Sequence, residues 1–136
     1  MNYPKSTIQA SAFIKRNWKG CKIWEKNRLL AWVQWFAGNG RMIAMREGGK
    51  IVGVALFRFI DSEKDIRASE YTDTGGEICY IALCVSKAKR VIRALYTILW
   101  NAGLSSRKLV CWARDKYSDR QNTVSVAQLG RRLGYG

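Results

Sequence analysis

The chain contains no histidine, and that one absence removes several chemistries. Ser-His-Asp and Cys-His nucleophile pairs are excluded, as is an imidazole general base. Proton transfer therefore falls to carboxylates, tyrosine, cysteine, lysine or water. The four cysteines, Cys21, Cys79, Cys84 and Cys111, include no C-x-x-C spacing and have no His to complete a ligand set, so no metal is expected. Three of them sit inside apolar runs, where Cys behaves as a small buried hydrophobe. Pro4 is the only proline, and no linker, repeat or low-complexity segment interrupts the 136 residues. One domain over 1–136 is expected, with residues 1–20 as a peripheral N-terminal helix. No apolar run reaches bilayer length and Met1–Lys5 has no signal-like core, so the expectation is a reducing cytoplasm without a membrane partner.

Acidic residues are the other scarcity. Ten Asp and Glu face 24 Lys and Arg, a formal charge of +14. Such a surface attracts polyanions, nucleic acid or the phosphates of a nucleotide cofactor among them. Half of the acids (Asp61, Glu63, Asp65, Glu70 and Asp73) fall in residues 61–76, beside only Lys64 and Arg67. That stretch is net −3, which leaves the rest of the chain at +17. It reads either as a solvated loop or as a segment that faces a cationic substrate or partner.

What is abundant is core. Apolar residues make up 48% of the chain and six are tryptophan, a balance opposite to that of disordered segments. Ser6 or Thr7 is placed to cap a first helix running to about Asn17, with Ile8, Ala12 and Phe13 on one face. Leu29, Trp32, Val33 and Phe36 give helical spacing to about Glu25–Ala37, and Gly38-Asn39-Gly40 stops it. Arg41–Arg46 and Lys50–Ile60 flank the turn signal Glu47-Gly48-Gly49 and read as a hairpin. Glu77–Val85 is almost continuously apolar, as in a strand buried on both faces. A helix follows with Ala88, Val91, Ile92, Leu95, Ile98, Leu99 and Ala102 as its stripe; Ser86 caps it and Gly103 ends it. Lys108–Ala113 is a further buried strand. The strand–helix–strand over 77–113 therefore predicts a parallel crossover, and Thr123–Leu133 predicts a closing helix.

Three segments carry a resemblance to a known family. They are Met45–Phe57 (MREGGKIVGVALF), Gly76–Val85 (GEICYIALCV) and the ending Arg132-Leu133-Gly134-Tyr135. With the element order they make residues 20–136 similar to the GNAT (Gcn5-related N-acetyltransferase) superfamily. The resemblance implies an α/β fold: a mixed, mostly antiparallel central sheet with one parallel, splayed strand pair and flanking helices. It also implies acetyl-CoA or another acyl-CoA as cofactor. Backbone groups of Leu83, Cys84 and Val85 would run beside the pantetheine arm and polarise the thioester. Ser86, Lys87, Ala88, Lys89 and Arg90 would hold the pyrophosphate at a helix N-terminus. Three cations in a first helical turn oppose the helix dipole, a conflict that a bound polyanion relieves.

The sequence departs from the family at named places. No glycine stands between Gly76 and Gly103, where the family's phosphate loop has several. The usual catalytic tyrosine falls on Gly130, and the usual asparagine on Thr123, beside Asn122. Tyr80, Tyr117 and Tyr135 remain as substitutes for the acid, and Glu77 stands where some members carry a general base. Similar divergence occurs in GNAT-like proteins of tailed phages, virion-associated ones included. Phage DNA-modifying proteins of the Mom type share the fold, and Trp112-Ala113-Arg114-Asp115 is loosely similar to theirs.

Three functions follow as expectations. The first is acyl-CoA-dependent transfer to an amine acceptor that the sequence does not identify. The second is a non-catalytic GNAT-fold protein of the host cytoplasm or a virion that binds nucleic acid or a protein partner. Its Trp18 or Trp24, interleaved with Lys15, Arg16, Lys19, Lys22 and Lys26, would stack on bases. The third is modification of a DNA base.

Overall fold

The computed structural model describes residues 2–19, 24–62, 64–65, 72–113 and 121–134. Five strands form one sheet in the order β1-β2-β3-β4-β5. They are β1 (Met42–Glu47), β2 (Lys50–Ile60), β3 (Ile78–Ser86), β4 (Leu109–Ala113) and β5 (Gln121–Ser125). The β1–β2 and β4–β5 pairs are antiparallel, and β3–β4 is parallel. The helices are α1 (Lys5–Asn17), α2 (Lys26–Gly38), α3 (Lys89–Asn101) and α4 (Val126–Arg132). By packing, the chain divides into two compact units, Met1–Leu56 with Leu83–Leu95, and Phe57–Ala82 with Tyr96–Gly136.

In the first unit α1 starts directly after Pro4, whose φ of −56° is already helical, and no side chain caps it. Thr7 is buried instead, and its hydroxyl donates to Gln34 Oε1 of α2 at 2.6 Å. The buried face of α1 is Thr7, Ala10, Ser11, Phe13 and Ile14, one helical stripe. The expected Ile8/Ala12/Phe13 face is thus rotated: Phe13 is core, while Ile8 and Ala12 are exposed. On α2 the expected Leu29, Trp32, Val33 and Phe36 are buried, joined by Leu30. Trp18, read from the sequence as a base-stacking candidate, stacks on Trp32 with centroids 6.0 Å apart. Trp24 meets both rings edge-on and carries the Arg28 guanidinium over its face at 4.6 Å. Trp18 and Trp24 are half-buried, and both are already engaged by other indoles.

The hairpin turns where expected, because Gly48 and Gly49 both adopt positive φ (58° and 79°). A register shift between Met45 and Arg46 leaves Val52 of β2 as the extra residue of a bulge. At Gly53 the strand passes so close under α3 that a Cβ would stand 2.6 Å from Val91 Cγ1. Val91 and Leu95 then pack with Ala55, and Ile43, Met45, Val52 and Cys84 surround them.

β2 is the strand buried on both faces, Gly53–Ile60 without a break, and its Phe57–Ile60 end belongs to the second unit. The sequence reading gave that place to β3. Its burial instead alternates and opens to half-exposure over Cys84, Val85 and Ser86. The predicted C-terminal helix also changes. Gln121–Ser125 is a strand, where Thr123 and Val124 suit a β-pleat, and the helix begins only at Val126. Ser125 caps it: its hydroxyl accepts from Gln128 N–H at 3.1 Å, while Gln128 Oε1 accepts from Ser125 N–H.

The acidic stretch is built into the fold where it is described. Asp65 Oδ2 accepts from the amides of Asp61 and Ser62, and the Asp73 carboxylate accepts from those of Phe59 and Gly75. Arg58, only 1% exposed, supports the same stretch from β2. Its guanidinium donates to the Thr72 carbonyl (3.2 Å), Thr72 Oγ1 (2.9 Å) and the Asp65 carbonyl (3.2 Å), and it lies 5.3 Å from the Tyr80 ring centroid. Glu63, Arg67 and Glu70 lie outside the described residues.

Candidate anion site at the start of α3

β3 runs directly into α3 through Lys87 and Ala88. The Lys87 amide donates to the Val52 carbonyl at 3.0 Å, which ties the start of this connection to β2. The first helical carbonyl is that of Ala88, which accepts from Val91 and Ile92. Ser86 is the last strand residue rather than a cap, and its hydroxyl donates to the Ala88 carbonyl at 2.9 Å. The N–H groups at the head of a helix lack intrahelical acceptors, and the dipole there favours an anion. No acid stands in this first turn.

Beside the connection the structure places cations that no sequence spacing links. Arg16 of α1, Arg46 of β1, Lys50 of β2 and Lys87 line one cavity of about 230 Å3, together with Gln9, Gly49 and Ile51. Arg46 is held at its position: one guanidinium nitrogen donates to Gln9 Oε1 at 2.6 Å, the other to the Gly49 carbonyl. Of these four, Arg16 reads in the sequence only as a cation beside Trp18, Arg46 and Lys50 carry no site signal, and the helix-start pattern singles out Lys87 alone. The others lie 37 to 71 residues upstream of it, and only folding gathers them.

Arg90 serves differently from its expected role. It forms a two-pronged pair with Glu47 of the hairpin, at 2.6 and 2.8 Å. Its hydrogen bond holds the Glu47 carboxyl below the usual carboxylate value, and Glu47 in turn raises Arg90. Arg90 is therefore already neutralised, whereas Lys87 and Lys89 are exposed at the head of α3.

Along β3, Leu83 is buried and Cys84 half-buried. Burial pushes the Cys84 thiol up to about 11, so it is a neutral thiol at physiological pH and no nucleophile. Site-resolved alkylation is expected to be slow at pH 8 and to accelerate only near pH 11; rapid labelling at pH 8 would refute this burial. The linked stability is fully present below the ordinary thiol value of about 8.5. It is lost as pH rises through about 11.

The candidate proton carriers are dispersed. Glu77 is exposed just before β3, and its backbone carbonyl accepts from Lys108 and Leu109. Tyr80 is half-buried, packed with Ile60, Ile78 and Cys111 and facing Arg58. Thr123 donates to Cys111 Sγ at 3.5 Å, and Asn122 pairs with Trp112 in the β4–β5 ladder. Tyr117 and Tyr135 lie outside the described residues, as does Cys21. Gly130 is buried on α4, where a Cβ would stand 2.7 Å from Trp100 Cη2. Trp100 fills the space a tyrosine there would need. Among the described residues no cluster of His, Cys, Asp or Glu is arranged to hold a metal, and no helix is long and apolar enough to cross a membrane.

No protein-family model matches the sequence, and no curated protein matches it. Solved structures do. The loading GNATL domain of CurA from Lyngbya majuscula aligns with TM-score 0.62 at 12% identity, over 88% of this chain and 67% of that one. The GphF GNAT-like decarboxylase, solved with isobutyryl-CoA, aligns with TM-score 0.62 at 16% identity, over 82% of this chain and 62% of that one. A GNAT-family protein of Desulfovibrio desulfuricans, assigned as an acetyltransferase, aligns with TM-score 0.57 at 12% identity, over 98% and 80%. The chain thus spans about two thirds of the first and somewhat less of the second. Likeness at such identity is likeness of fold, and this chain has the fold of these GNAT-like structures.

Proposed function

We propose that the chain binds an acyl-CoA, with the phosphates at the head of α3 and in the adjoining basic cavity, and passes the acyl group to an amine. The observation that carries this reading is the convergence of Arg16, Arg46, Lys50 and Lys87 on one cavity beside a helix N-terminus. These cations take over the role that glycines play in the family's phosphate loop: they supply charge where the backbone alone approaches less closely. Backbone N–H groups at the head of α3 and Lys87 bind and orient the phosphates. The half-exposed end of β3 offers its backbone to the thioester arm. The amine nitrogen attacks the thioester carbonyl, the C–N bond forms and the C–S bond breaks. The amine loses a proton to water, and the thiolate takes one from a tyrosine or from water. A neighbour of the same fold, solved with isobutyryl-CoA, supports this ligand class.

A second reading is favoured by one observation, the indole of Trp100 against Gly130. In it the fold keeps its anion site, has lost the protonating tyrosine, and holds a nucleic acid or a protein partner, as in a phage or virion-associated protein. DNA-base modification of the Mom type would join the two readings.

Saturating acetyl-CoA at about a hundred times its Kd is expected to stabilise the fold by about 2.7 kcal/mol, a rise in Tm of several degrees. Lys87→Ala combined with Lys50→Ala should abolish that rise. Glu47→Gln, which releases Arg90, should tighten binding severalfold and leave the exposed, solvent-screened site's stability nearly unchanged. No shift with acetyl-CoA, together with salt-dependent DNA binding, would replace the first reading by the second.

A further inference from the structure

The two faces of α1 part company at Ile8 and Ala12. Helical spacing marks both as core, yet both are exposed. They form one wall of a groove of about 420 Å3 whose other wall is Leu29 and Leu30 of α2. The Thr7–Gln34 bond ties the two helices together. Lys15, Arg16 and Lys26 also line the groove, and no carboxylate does so among the described residues. Lys15 is steadied by donating to the Trp24 carbonyl at 3.0 Å. Buried in the same wall, the Ser11 hydroxyl has no hydrogen-bond partner among the described residues.

Size and charge together select an occupant. The volume is that of small-molecule sites, about 300–1,000 Å3. A protein partner would need about 1,000 Å2 of buried surface. The only exposed large hydrophobic residue described on α1 or α2 is Ile8, at 48% exposure, which is too little apolar surface to seat one. Apolar walls call for a hydrocarbon chain, and three lining cations call for an anionic head. Ala12 and Arg16 also line the basic cavity near α3, so groove and cavity meet along α1 with Arg16 common to both.

We propose that the α1–α2 groove binds a fatty-acid carboxylate, its chain between Ile8, Ala12, Leu29 and Leu30 and its head on Arg16 and Lys26. The site takes a free anionic amphiphile and does not rest on acyl transfer, and an acyl-CoA phosphate on the shared Arg16 would compete with the carboxylate head.

The test is calorimetric titration of the full chain with dodecanoate below its micelle concentration, beside decanoate, dodecanol and dodecyltrimethylammonium. Dodecanoate is expected to bind one to one, about tenfold more tightly than decanoate for its two additional CH2 groups. It should bind at least about tenfold more tightly than dodecanol and dodecyltrimethylammonium, the equivalent of 1.4 kcal/mol for the head. Ala12→Phe, which fills the groove from an exposed position, should weaken dodecanoate by tenfold or more. Arg16→Gln should weaken dodecanoate and leave dodecanol unchanged, a readout that stands even where Ala12→Phe disturbs folding. Equal binding of the cationic amphiphile, an Arg16→Gln variant that binds dodecanoate as tightly as before, or no binding at all would each overturn the site. Loss of acetyl-CoA binding alone would leave it standing.

Discussion

Replacing Arg58 by Met is expected to cost about 2–4 kcal/mol, the largest single-residue loss of stability proposed for this fold. Arg58 is 1% exposed, and its described hydrogen bonds go to two backbone carbonyls and a hydroxyl of the 65–72 region. Methionine keeps the length of the apolar stem against Tyr80 but donates nothing. Each acceptor left in a part-buried place without a donor costs about 1–3 kcal/mol. Relaxation of Asp65 and Thr72 towards water returns some of that. For a chain of this length Tm should fall by about 10 °C. Hydrogen exchange at the Phe59, Asp61 and Gly75 amides, which are held by Asp73 and Asp65, should rise at the same time. Arg58→Lys should recover only part of the loss, because an ammonium cannot reach all three acceptors from one place. A Tm within about 2 °C of the parent would show that the acidic stretch holds itself without the guanidinium.

The second large effect concerns catalysis. Gly130→Tyr places the family's usual side chain at the position that lacks it, and the expected result is loss of stability without gain of activity. The Cβ alone would stand 2.7 Å from Trp100 Cη2, with Cζ2 and Cζ3 at 3.4 Å. Overpacking of this kind costs about 1–3 kcal/mol, more than the roughly 1 kcal/mol a helix gains when glycine is replaced. Trp100 must turn away before the phenol enters, so the hydroxyl does not reach a place the fold has prepared. The double variant Trp100→Ala, Gly130→Tyr should recover stability relative to Gly130→Tyr alone, a coupling that a double-mutant cycle measures. If Gly130→Tyr folds as well as the parent and accelerates acyl transfer from acetyl-CoA, the space at α4 is open and the site is catalytically ready.

How far the sequence reads on its own differs from element to element. The hairpin was legible because Gly48 and Gly49 sit where two successive positive φ values are required. α2 was legible because four of its apolar residues keep one helical face. α1 was misread because Ile8, Ala12 and Phe13 make a plausible stripe, and only packing against α2 selects Ala10, Phe13 and Ile14. Thr123–Ser125 reads as helix in the sequence because propensity over three residues is weak; pairing with β4 makes it strand, and the Ser125 capping box starts α4 afterwards. The two-sided burial assigned to β3 belongs to β2, since alternating and continuous apolar runs become distinct only once neighbours are in place.

The candidate site divides in the same way. Lys87 and the helix that follows it were visible locally, as cations at a helix start that the dipole does not favour. Arg90 was indistinguishable from them in sequence, and a carboxylate 43 residues away, Glu47, sets it apart. Arg46 and Lys50 carried no signal, and Arg16 only that of a cation near Trp18, because a lysine or arginine on a helix or hairpin is ordinarily solvated surface. By itself the sequence determined the absence of imidazole chemistry, the excess of positive charge and the order of the main elements, all properties of composition and local spacing. Which cations face one another, which helix face stays open beside α2, and why no side chain fits at Gly130 were decided only in three dimensions, where distant segments compete for the same space.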